Sequence, residues 1–573
     1  MRYFVKLTEP SKKGKYIQIY RTNYVPGKGN QNKSYKALGY VEDLKKQGIE
    51  DPIKYAKQLV IELSEKEENA KITQVGDVSI CKNLGYFLIK GMFDYLDVDY
   101  IMDIFTQNKK FKFKMSDFVR TMVYAQIVNP GSKLKAFENV IPNIYGVTQY
   151  SYDQILDAIE FIGEDYQKYI ELFNDKINKK WKRNMNVNYF DCTNYYFEID
   201  LEDSYRKKGP SKEERHLPLR GQALLLDGEQ IPLAMMMYPG NKSEKPYLRQ
   251  IIEETKERFD INGKTIQVAD KGLNCARNIY ASSVEANDGY IFSKSVHGKN
   301  LSTIEKAWVL LEDDNQNHWN TVYDQNGRLL YKYKECIDTF EYSFNDEYGK
   351  KNSFKVKEKR VVTYNPSLAR KHKEEIRKEI EKAKAFISIK EAYRDDLGDA
   401  AKYLNFLAFT KDGEVAQISS FLKQEKIDED LAFAGYNLLV TSETHLDAKK
   451  IYEIYHGLWR IEESFKIMKS YLEARPVFLQ KEASIDGHFT ICYIALTLMR
   501  LLELKIFKEQ LSVFELIKFI RNYNITDTGS NIFYNNANNS KTLSIIKKEL
   551  GLAKIGNLIL RNKDIKNILD VEF

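Results

Sequence analysis

Three short runs of β-forming residues follow one another in the middle of the chain, and they constrain the fold more than any other feature. They read NVNYFDCTNYYFEID, LRGQALLL and IPLAMMMYPGN. Asp227 and Gly228, between the second and third runs, are typical of a tight hairpin turn. The pattern therefore predicts three antiparallel strands.

Helix and strand patterns alternate after these strands. YLRQIIEETKERF and NCARNIYASSVEAN are predicted helices, the second with Asn274 as its N-cap, while TIQVAD and GYIFSKSV are predicted strands. This order predicts an α/β fold. It is the order of a ribonuclease-H-like domain, although other mixed α/β domains share it.

Length and composition indicate a folded protein of several domains. The 573 residues exceed one ordinary hydrophobic core and suggest about two to four domains. Hydrophobic residues at 43% and charged residues at 29% exclude disordered and collagen-like classes. The net charge of +7 permits a polyanionic partner through local patches, but a mildly basic enzyme fits it equally well.

The cysteines and the apolar runs bear on the expected compartment. The five cysteines include no CxxC pair, so neither a disulfide framework nor a zinc site is indicated. The first residues lack the apolar core of a signal peptide, and the run from Phe489 to Met499 is shorter than the ~20 residues that span a bilayer. We expect an intracellular protein without a membrane partner.

Two earlier segments offer contacts to a polyanion without requiring them. VPGKGNQNKS is predicted as a basic turn, which either touches a phosphate backbone or is an ordinary solvated hairpin tip. MSDFVRTMVYAQIV and LKAFENV, joined by NPGSK, fit a helix-turn-helix and equally fit two packed helices.

Two aspartates are predicted where strands end. We place Asp191 at the end of the first strand and Asp270 at the end of a later one, where Gly272 allows a tight turn. Ligands of open α/β sheets bind beyond the carboxyl ends of strands. Each aspartate alone is equally well explained as a cap of the following turn.

A third acid, Glu462, lies in the predicted helix IYHGLWRIEESFKIMKS. Its apolar stripe contains Leu458, while Tyr455, Glu462 and Lys469 recur every seven residues along the border of that stripe. An ion pair with Lys466 explains Glu462 as a surface residue. It would instead complete a trio of acids if the helix packs on the same sheet.

Three converging carboxylates repel one another unless cations lie between them. Mg²⁺ prefers such oxygen ligands. Two ions about 4 Å apart would activate a water or a DNA 3′-hydroxyl and stabilise the leaving oxygen at phosphorus. No His or Cys cluster indicates zinc, and no GK[ST] loop indicates an NTPase.

YFDCTNYYFE, VADKGL and YHGLWRIEESFKIMK resemble the three motifs of DDE-type insertion-sequence transposases, in the group with a Tyr-x2-Arg-x3-Glu-x6-Lys signature. IPLAMMMYPGNKSE and RPVFLQKEASIDGHF also resemble the family, so the similarity covers residues ~185 to ~500. It implies that Asp191, Asp270 and Glu462 are the catalytic, metal-binding triad, with two Mg²⁺ ions for which Mn²⁺ substitutes. It also implies that Tyr455 and Lys469 contact DNA.

One position departs from the signature, because Leu458 stands where arginine is expected. Leu458 lies on the apolar stripe and is predicted to be core. Arg460 and Lys466 are further candidates for DNA contact. Arg460 points about 140° away from Tyr455 on the helical wheel, so a solvated side chain is the alternative.

The resemblance gives each segment an expected role within an α/β fold. The predicted architecture is a ribonuclease-H-like catalytic domain with a β-rich insertion, flanked by helical N-terminal and C-terminal regions. Residues 1–111 form a strand and helix region that is a candidate for DNA binding, and residues 112–183 form a helical region that is a candidate for DNA-end recognition. The catalytic core consists of residues 184–295 and 434–480, the second part with the glutamate helix, and residues 296–433 are an insertion of strands and a charged helix. Residues 481–573 form a helical region that is a candidate for dimerisation.

We therefore expect a transposase that cuts its element's ends in a metal-dependent reaction and transfers them into target DNA. The alternatives are a ribonuclease-H-like nuclease without strand transfer and a catalytically inactive, domesticated DNA-binding protein. A carbohydrate hydrolase with two carboxylates would leave the third acid unexplained. The resemblance implies double-stranded DNA as partner, both as terminal inverted repeats and as target, a homodimer on DNA ends, and a location at the nucleoid in the bacterial cytoplasm.

Overall fold

The computed structural model describes residues 2–9, 14–25, 29–73, 79–106, 111–210, 216–297, 301–311, 319–387, 394–409, 417–529 and 531–573. It contains two compact units, Met1–Ile80 and Cys81–Phe573. The two units are described separately below.

The first unit is a three-stranded antiparallel sheet with two helices. Its strands are β1 (Arg2–Thr8), β2 (Tyr16–Val25) and β3 (Gly29–Tyr40), and its helices are α1 (Val41–Lys46) and α2 (Pro52–Thr73). Its small core centres on Ile17, Leu44 and Ala56. The predicted turn from Val25 to Ser34 is largely wrong, because Gly29 to Ser34 pair with β2; Pro26 to Lys28 lie outside the described residues.

The second unit begins with a helical region. It contains β4 (Cys81–Asn83), α3 (Phe87–Leu96), α4 (Asp99–Phe105), α5 (Met115–Val128), α6 (Lys133–Lys135), α7 (Tyr152–Glu164) and α8 (Tyr166–Lys180). A π turn (Ala136–Val140) and a 3-10 turn (Ile141–Asn143) follow α6. Helix α5 has the predicted bounds and is buried on most sides. It is therefore a packing helix rather than an exposed recognition helix.

A nine-stranded mixed sheet forms the centre of the second unit, in the order β10-β11-β12-β15-β9-β8-β5-β6-β7. Its strands are β5 (Val187–Tyr196), β6 (Leu219–Leu226), β7 (Pro232–Pro239), β8 (Ile266–Ala269), β9 (Gly289–Lys294), β10 (Asn320–Tyr323), β11 (Leu329–Asn345), β12 (Lys351–Tyr364) and β15 (Tyr436–Thr441). The three predicted antiparallel strands are confirmed as β5, β6 and β7. Strand β8 runs parallel to both β5 and β9.

Five helices and a small hairpin accompany this sheet. The helices are α9 (Lys245–Arg258), α10 (Ala276–Tyr280) with a π turn (Ala281–Glu285), α11 (Thr303–Leu310), α12 (Pro366–Ile387) and α13 (Gln424–Ala432). The hairpin consists of β13 (Leu404–Phe409) and β14 (Gln417–Leu422), and a 3-10 stretch (Arg394–Tyr403) precedes it. The predicted Asn274 cap is wrong: Cys275 occupies the N-cap position of α10, and the Asn274 amide donates to the Ser293 carbonyl instead. Strands β10 to β12 extend the central sheet through β15.

The remaining elements begin with the helices that carry Glu462. They are α14 (Ala448–His456), α15 (Trp459–Lys466), a π turn (Ile467–Tyr471), α16 (Glu482–Leu501), a second π turn (Leu502–Ile506), α17 (Val513–Asn522), β16 (Asn524–Asp527), β17 (Ile532–Asn535), α18 (Lys541–Glu549), β18 (Ile559–Arg561) and α19 (Asn562–Leu569). The C-terminal region is mainly helical, as predicted, and its short strands β16 to β18 form a four-stranded sheet with β4.

The two faces of the central sheet are buried in different hydrophobic clusters. Phe190 and Cys192 of β5 belong to the cluster shared with α9, whereas Tyr189 and Tyr195 belong to the cluster shared with α16. Helix α16 is buried along nearly its whole length, as expected of a packing helix. No helix in the described ranges is long and apolar enough to cross a membrane.

Candidate active site

Asp191 and Asp270 lie at the same level on neighbouring parallel strands. The register pairs Tyr189 of β5 with Val268 of β8, and each aspartate follows two residues later. Asp270 directly follows β8, as predicted. The prediction that Asp191 ends its strand is wrong, because β5 continues to Tyr196 through its pairing with β6. The two aspartates nevertheless share the edge at which β8 ends.

The turn after Asp270 is held by the Asp270 carboxylate itself. Its Oδ1 accepts hydrogen bonds from the backbone amides of Gly272 at 3.0 Å and Leu273 at 3.3 Å. A Cβ at Gly272 would lie 3.3 Å from Oδ1 and 3.6 Å from Oδ2. Glycine at position 272 therefore leaves space beside the Asp270 carboxylate. The sequence analysis had instead attributed this glycine to the backbone conformation of a tight turn.

Glu462 lies on α15, which contacts β5, while the preceding α14 contacts β8 and β9. The predicted helix is present as two segments, because Gly457 and Leu458 keep helical dihedrals between α14 and α15 while the hydrogen bonds there tighten to the i to i+3 pattern. A Cβ at Gly457 would lie 2.5 Å from the Tyr189 hydroxyl. Glycine therefore permits this junction to pack directly on the strand that carries Asp191.

The charges of all three acids reach the hydroxyl of Tyr455. The pKa of Tyr455 is raised to about 12, mainly by burial and also by the carboxylates of Asp270, Glu462 and Asp191, while Ser293 lowers it. Partial burial and the charge of Asp270 likewise raise the pKa of Glu462. Tyr455 thus lies among the three carboxylates rather than on an open surface.

The three acids supply the hard oxygen donors that Mg²⁺ prefers. Among the described residues, no group of three or more His, Cys, Asp or Glu side chains is close enough to enclose an ion. Like charges favour separation when no cation lies between them. The carboxylates therefore fit a divalent metal by chemistry and location, and would have to move together to bind it.

Glu463, the neighbour of Glu462, has an entirely different environment. Its Oε2 lies 2.8 Å from Arg500 and 3.3 Å from Arg460. Arg500 also pairs with Glu503 at 2.7 Å, and Arg460 pairs with Glu509 at 2.5 Å. This buried network ties α15 to α16 and to the π turn after it.

The network corrects the expectation of a solvated Arg460. Arg460 is only 7% exposed, and its guanidinium also donates to Gln230 in the turn between β6 and β7. Leu458 is buried, as predicted. Arginine at 460 therefore joins the helix to the sheet, and its engaged donors leave it poorly suited to hold DNA.

The two lysines of α15 and its π turn differ in position. The Lys469 ammonium lies 5.3 Å from the ring centroid of Tyr195, on the β5 face that carries Asp191. Lys466 is exposed, and its ammonium lies 5.5 Å from the Phe514 ring. No ion pair joins Lys466 to Glu462 in the part of the chain that the structure describes.

Ser293 was missed by the sequence analysis. It lies on β9, where its hydroxyl bonds to Asn437 of β15 at 2.9 Å as well as to Tyr455. Serine in a buried strand has no distinguishing pattern, so only the pairing of β9 with β15 could have indicated it. Its proximity lowers the pKa of Tyr455.

Comparison with known proteins places this geometry in a family. The family described as Transposase DDE domain matches residues 192–498, which include Asp270 and Glu462 and begin one residue after Asp191. No curated protein matches. A solved structure titled "Cryo-EM structure of piggyBac transposase synaptic complex with hairpin DNA (SNHP)" matches with a TM-score of 0.34 and 9% identity over 84% of each chain, which is too weak to support conclusions. Since the family match spans more than half of the 573 residues, the chain belongs to the DDE-domain transposases.

Proposed function

We propose that this chain is a metal-dependent transposase that cuts DNA at the ends of its element and joins the freed 3′-hydroxyls to target DNA. The observation that carries the proposal is the placement of the three acids: Asp191 and Asp270 each lie two residues beyond the paired Tyr189 and Val268, and α15, which carries Glu462, contacts β5. Acids from distant parts of the sequence are thereby brought to the same edge of the sheet.

The sheet order supports a ribonuclease-H-like catalytic core. Strands β5, β6 and β7 are antiparallel, and β8 and β9 follow in parallel on the other side of β5. We propose that residues 184–295 and 434–480 form this core and that residues 296–433 are inserted into it. Glu462 then returns to the aspartates after the insertion.

In the proposed reaction each step exchanges one P–O bond for another. A water first displaces the 3′-oxygen of the element end from phosphorus. The freed 3′-hydroxyl then attacks a phosphorus of the target and displaces its 3′-oxygen. Because the number of phosphodiester bonds is conserved in the second step, joining requires no nucleotide cofactor.

Asp191, Asp270 and Glu462 would hold two Mg²⁺ ions, or Mn²⁺ in their place. When bound, these ions supply activation of the attacking oxygen and stabilisation of the leaving one. Without metal, burial and the charge of Asp270 raise the pKa of Glu462, and cations held between the acids would relieve that repulsion. Tyr455 keeps its proton at neutral pH and can donate a hydrogen bond to a phosphate oxygen.

Lys469 and Lys466 are the proposed contacts to the phosphate backbone, as point charges beside the acids. Arg460 is omitted from this set because its donors are engaged in the buried network. We further propose that two copies act together, each bound to one element end, with double-stranded DNA as both donor and target.

The test is cleavage of duplexes that carry the inverted repeats flanking the gene. Asp270→Asn should abolish Mg²⁺-dependent cleavage while DNA binding persists. Asp447→Asn is the matched control, because Asp447 caps α14 through the amides of Lys449 and Lys450 and asparagine also caps. Normal cleavage by Asp270→Asn would refute the triad.

A second assay separates transposition from simple cutting. Precleaved ends with free 3′-hydroxyls are offered to the unaltered protein together with plasmid target. A transposase gives joined product, whereas a ribonuclease-H-like nuclease gives none. DNA binding without cutting or joining would favour the inactive DNA-binding protein.

A further inference from the structure

The first unit has a strongly uneven distribution of charge. Residues 1–40, which include the three strands, contain nine Lys or Arg residues and one Glu, whereas residues 41–80 contain six Lys and nine acids. The first segment alone therefore carries a net charge of +8, compared with +7 for the whole chain. A basic segment of this kind favours approach to a polyanion.

The two faces of this sheet differ in character. Residues directly opposite in an antiparallel pair share a face. Val5 pairs with Ile19 and Leu7 with Ile17, and this face packs on the apolar residues of α1 and α2. Lys6 pairs with Gln18, Tyr20 with Ser34, and Thr22 with Asn32, so these polar residues share the other face, together with Phe4, which pairs with Tyr20. Arg21, Lys33 and Lys36 lie on the face of Ile19 by the same rule, so the cations of the strands are divided between the two faces.

The polar face combines hydrogen-bonding groups with aromatic and cationic ones. Its central hydrogen-bonding residues are Lys6, Gln18, Tyr20, Thr22, Asn32 and Ser34, and the Phe4 ring centroid lies 5.8 Å from that of Tyr20. The Lys6 ammonium lies 4.8 Å from the Tyr20 ring centroid, and the Thr22 hydroxyl donates to Asn32 Oδ1 at 2.7 Å. Lys6, Asn32 and Ser34 are exposed, while Gln18, Tyr20 and Thr22 are half-buried.

These side chains match the donor and acceptor pattern of the major groove. Glutamine and asparagine bond in pairs to adenine, a threonine methyl contacts the methyl of thymine, and lysine supplies a point charge for a phosphate. Three strands about 4.8 Å apart span roughly 10 Å, which suits a groove about 12 Å wide. A strand of ten residues also extends along about one helical turn.

We propose that the polar face of the β1-β2-β3 sheet lies in the major groove of duplex DNA and reads the base sequence of the element's ends. This assignment rests on the proposed function, because it makes the first unit the part that selects DNA for the acids of the second. The acidic half of the unit, on α1 and α2, then faces away from the phosphates.

Selection from duplexes with a randomised central segment tests this directly with the full-length chain. The unaltered protein should enrich one motif, which should recur in the inverted repeats flanking the gene. The Gln18→Ala, Asn32→Ala double variant should lose at least about tenfold in preference for the motif over a scrambled duplex. Its binding to the scrambled duplex should change by less than roughly threefold, because phosphate contacts remain.

Two lysine variants provide a matched comparison. Lys6→Ala, on the polar face, should weaken binding to both duplexes alike and reduce the salt dependence of binding by about one unit of log–log slope. Lys57→Ala, on the exposed side of α2, should change neither quantity. An equal loss from the two lysines would overturn the assignment of the face.

The test also distinguishes failure of this inference from failure of the proposed function. Asp270→Asn should keep the full sequence preference, and the double variant should still cut DNA at saturating concentration. A double variant that enriches the same motif as the unaltered protein overturns the inference, as does an unaltered protein that enriches none. Cleavage by Asp270→Asn would instead overturn the proposed function while leaving the sheet assignment intact.

Discussion

Glu462 and Glu463 are neighbours on α15, yet they belong to two acidic clusters with opposite charge balance. The cluster behind the helix contains Glu463, Glu503 and two arginines that neutralise them at 2.7 to 3.6 Å. In the cluster at the sheet edge, neither Glu462 nor Asp270 forms an ion pair with any lysine or arginine of the described residues. Acids neutralised by arginine maintain structure, whereas acids left near one another create a site for an external cation.

The adjacent glutamates provide the strongest test of this distinction. Glu462→Gln should reduce cleavage by at least about 10³-fold, the scale seen when one group that stabilises transition-state charge is removed. It should not lower the free energy of unfolding, because a carboxylate repelled by Asp270 is lost. Glu463→Gln should retain cleavage but lower the free energy of unfolding by about 1–3 kcal/mol, since two buried arginines lose a charged partner.

Cleavage rates and urea denaturation of the same two preparations measure both quantities. The distinction between the two clusters is wrong if both substitutions mainly reduce the cleavage rate, or if both mainly reduce the free energy of unfolding. A protein in which Glu463→Gln cuts less than Glu462→Gln would reverse our assignment of the two residues.

Removal of an arginine tests the structural cluster alone. Arg500 is completely buried and pairs with Glu463 and Glu503, so Arg500→Met should lower the free energy of unfolding by about 3–5 kcal/mol. Lys168→Met, which breaks the exposed pair with Glu171, is the matched control and should cost less than about 1 kcal/mol. Similar losses of unfolding free energy for Arg500→Met and Lys168→Met in denaturation experiments would show that burial of the arginine network contributes little to stability.

Metal addition tests the other cluster. At 100 times its dissociation constant, Mg²⁺ should raise the free energy of unfolding by about 2.7 kcal/mol in the unaltered chain and by much less in Asp270→Asn. The folded-state pKa of Glu462 is raised above 4.5, so its proton is held to higher pH than in the unfolded chain. Without metal, protonated Glu462 contributes its full stability below the pKa of the unfolded chain. This contribution is lost as the pH rises through the raised pKa of the folded state.

The metal effect has the opposite pH dependence, because Mg²⁺ binds only the deprotonated carboxylate. Stabilisation by Mg²⁺ should be complete above the raised pKa of Glu462 and should decrease as the pH falls through it. Denaturation with and without Mg²⁺ over this pH range measures the difference. An equal gain in Asp270→Asn would place the bound ion elsewhere.

The sequence predicted the acids of the sheet edge better than it predicted their surroundings. Hairpin residues and strand periodicity are local, so β5, β6 and β7 and the bounds of α5 and α12 were predictable. The sheet partners of β10 to β12 and the pairing of β4 with β16 depend on contacts between distant segments. No local pattern specifies these contacts.

The cluster around Glu463 was unpredictable for a related reason. A helical wheel predicted that Arg460 is solvated because a wheel contains only the residues of one helix and none of the residues that pack against it. Glu503, in the π turn after α16, and Gln230, in a hairpin turn, are the distant buried partners of the Arg460 guanidinium.

The smallest expected effect comes from one methyl group beside the metal site. A Cβ at Gly272 would lie 3.3 Å from Asp270 Oδ1, while a Cβ at Gly263, in the loop before β8, would meet nothing within 4 Å. Neither glycine has the positive φ that favours glycine, so each alanine variant should gain about 0.4–1 kcal/mol in stability through the unfolded state. Only Gly272→Ala should raise the Mg²⁺ concentration for half-maximal cleavage, by about three- to tenfold, because Asp270 must shift to admit the methyl group. Titration of cleavage with Mg²⁺ measures this difference, and identical titrations for both variants would show that the space beside Asp270 is not used by the ion.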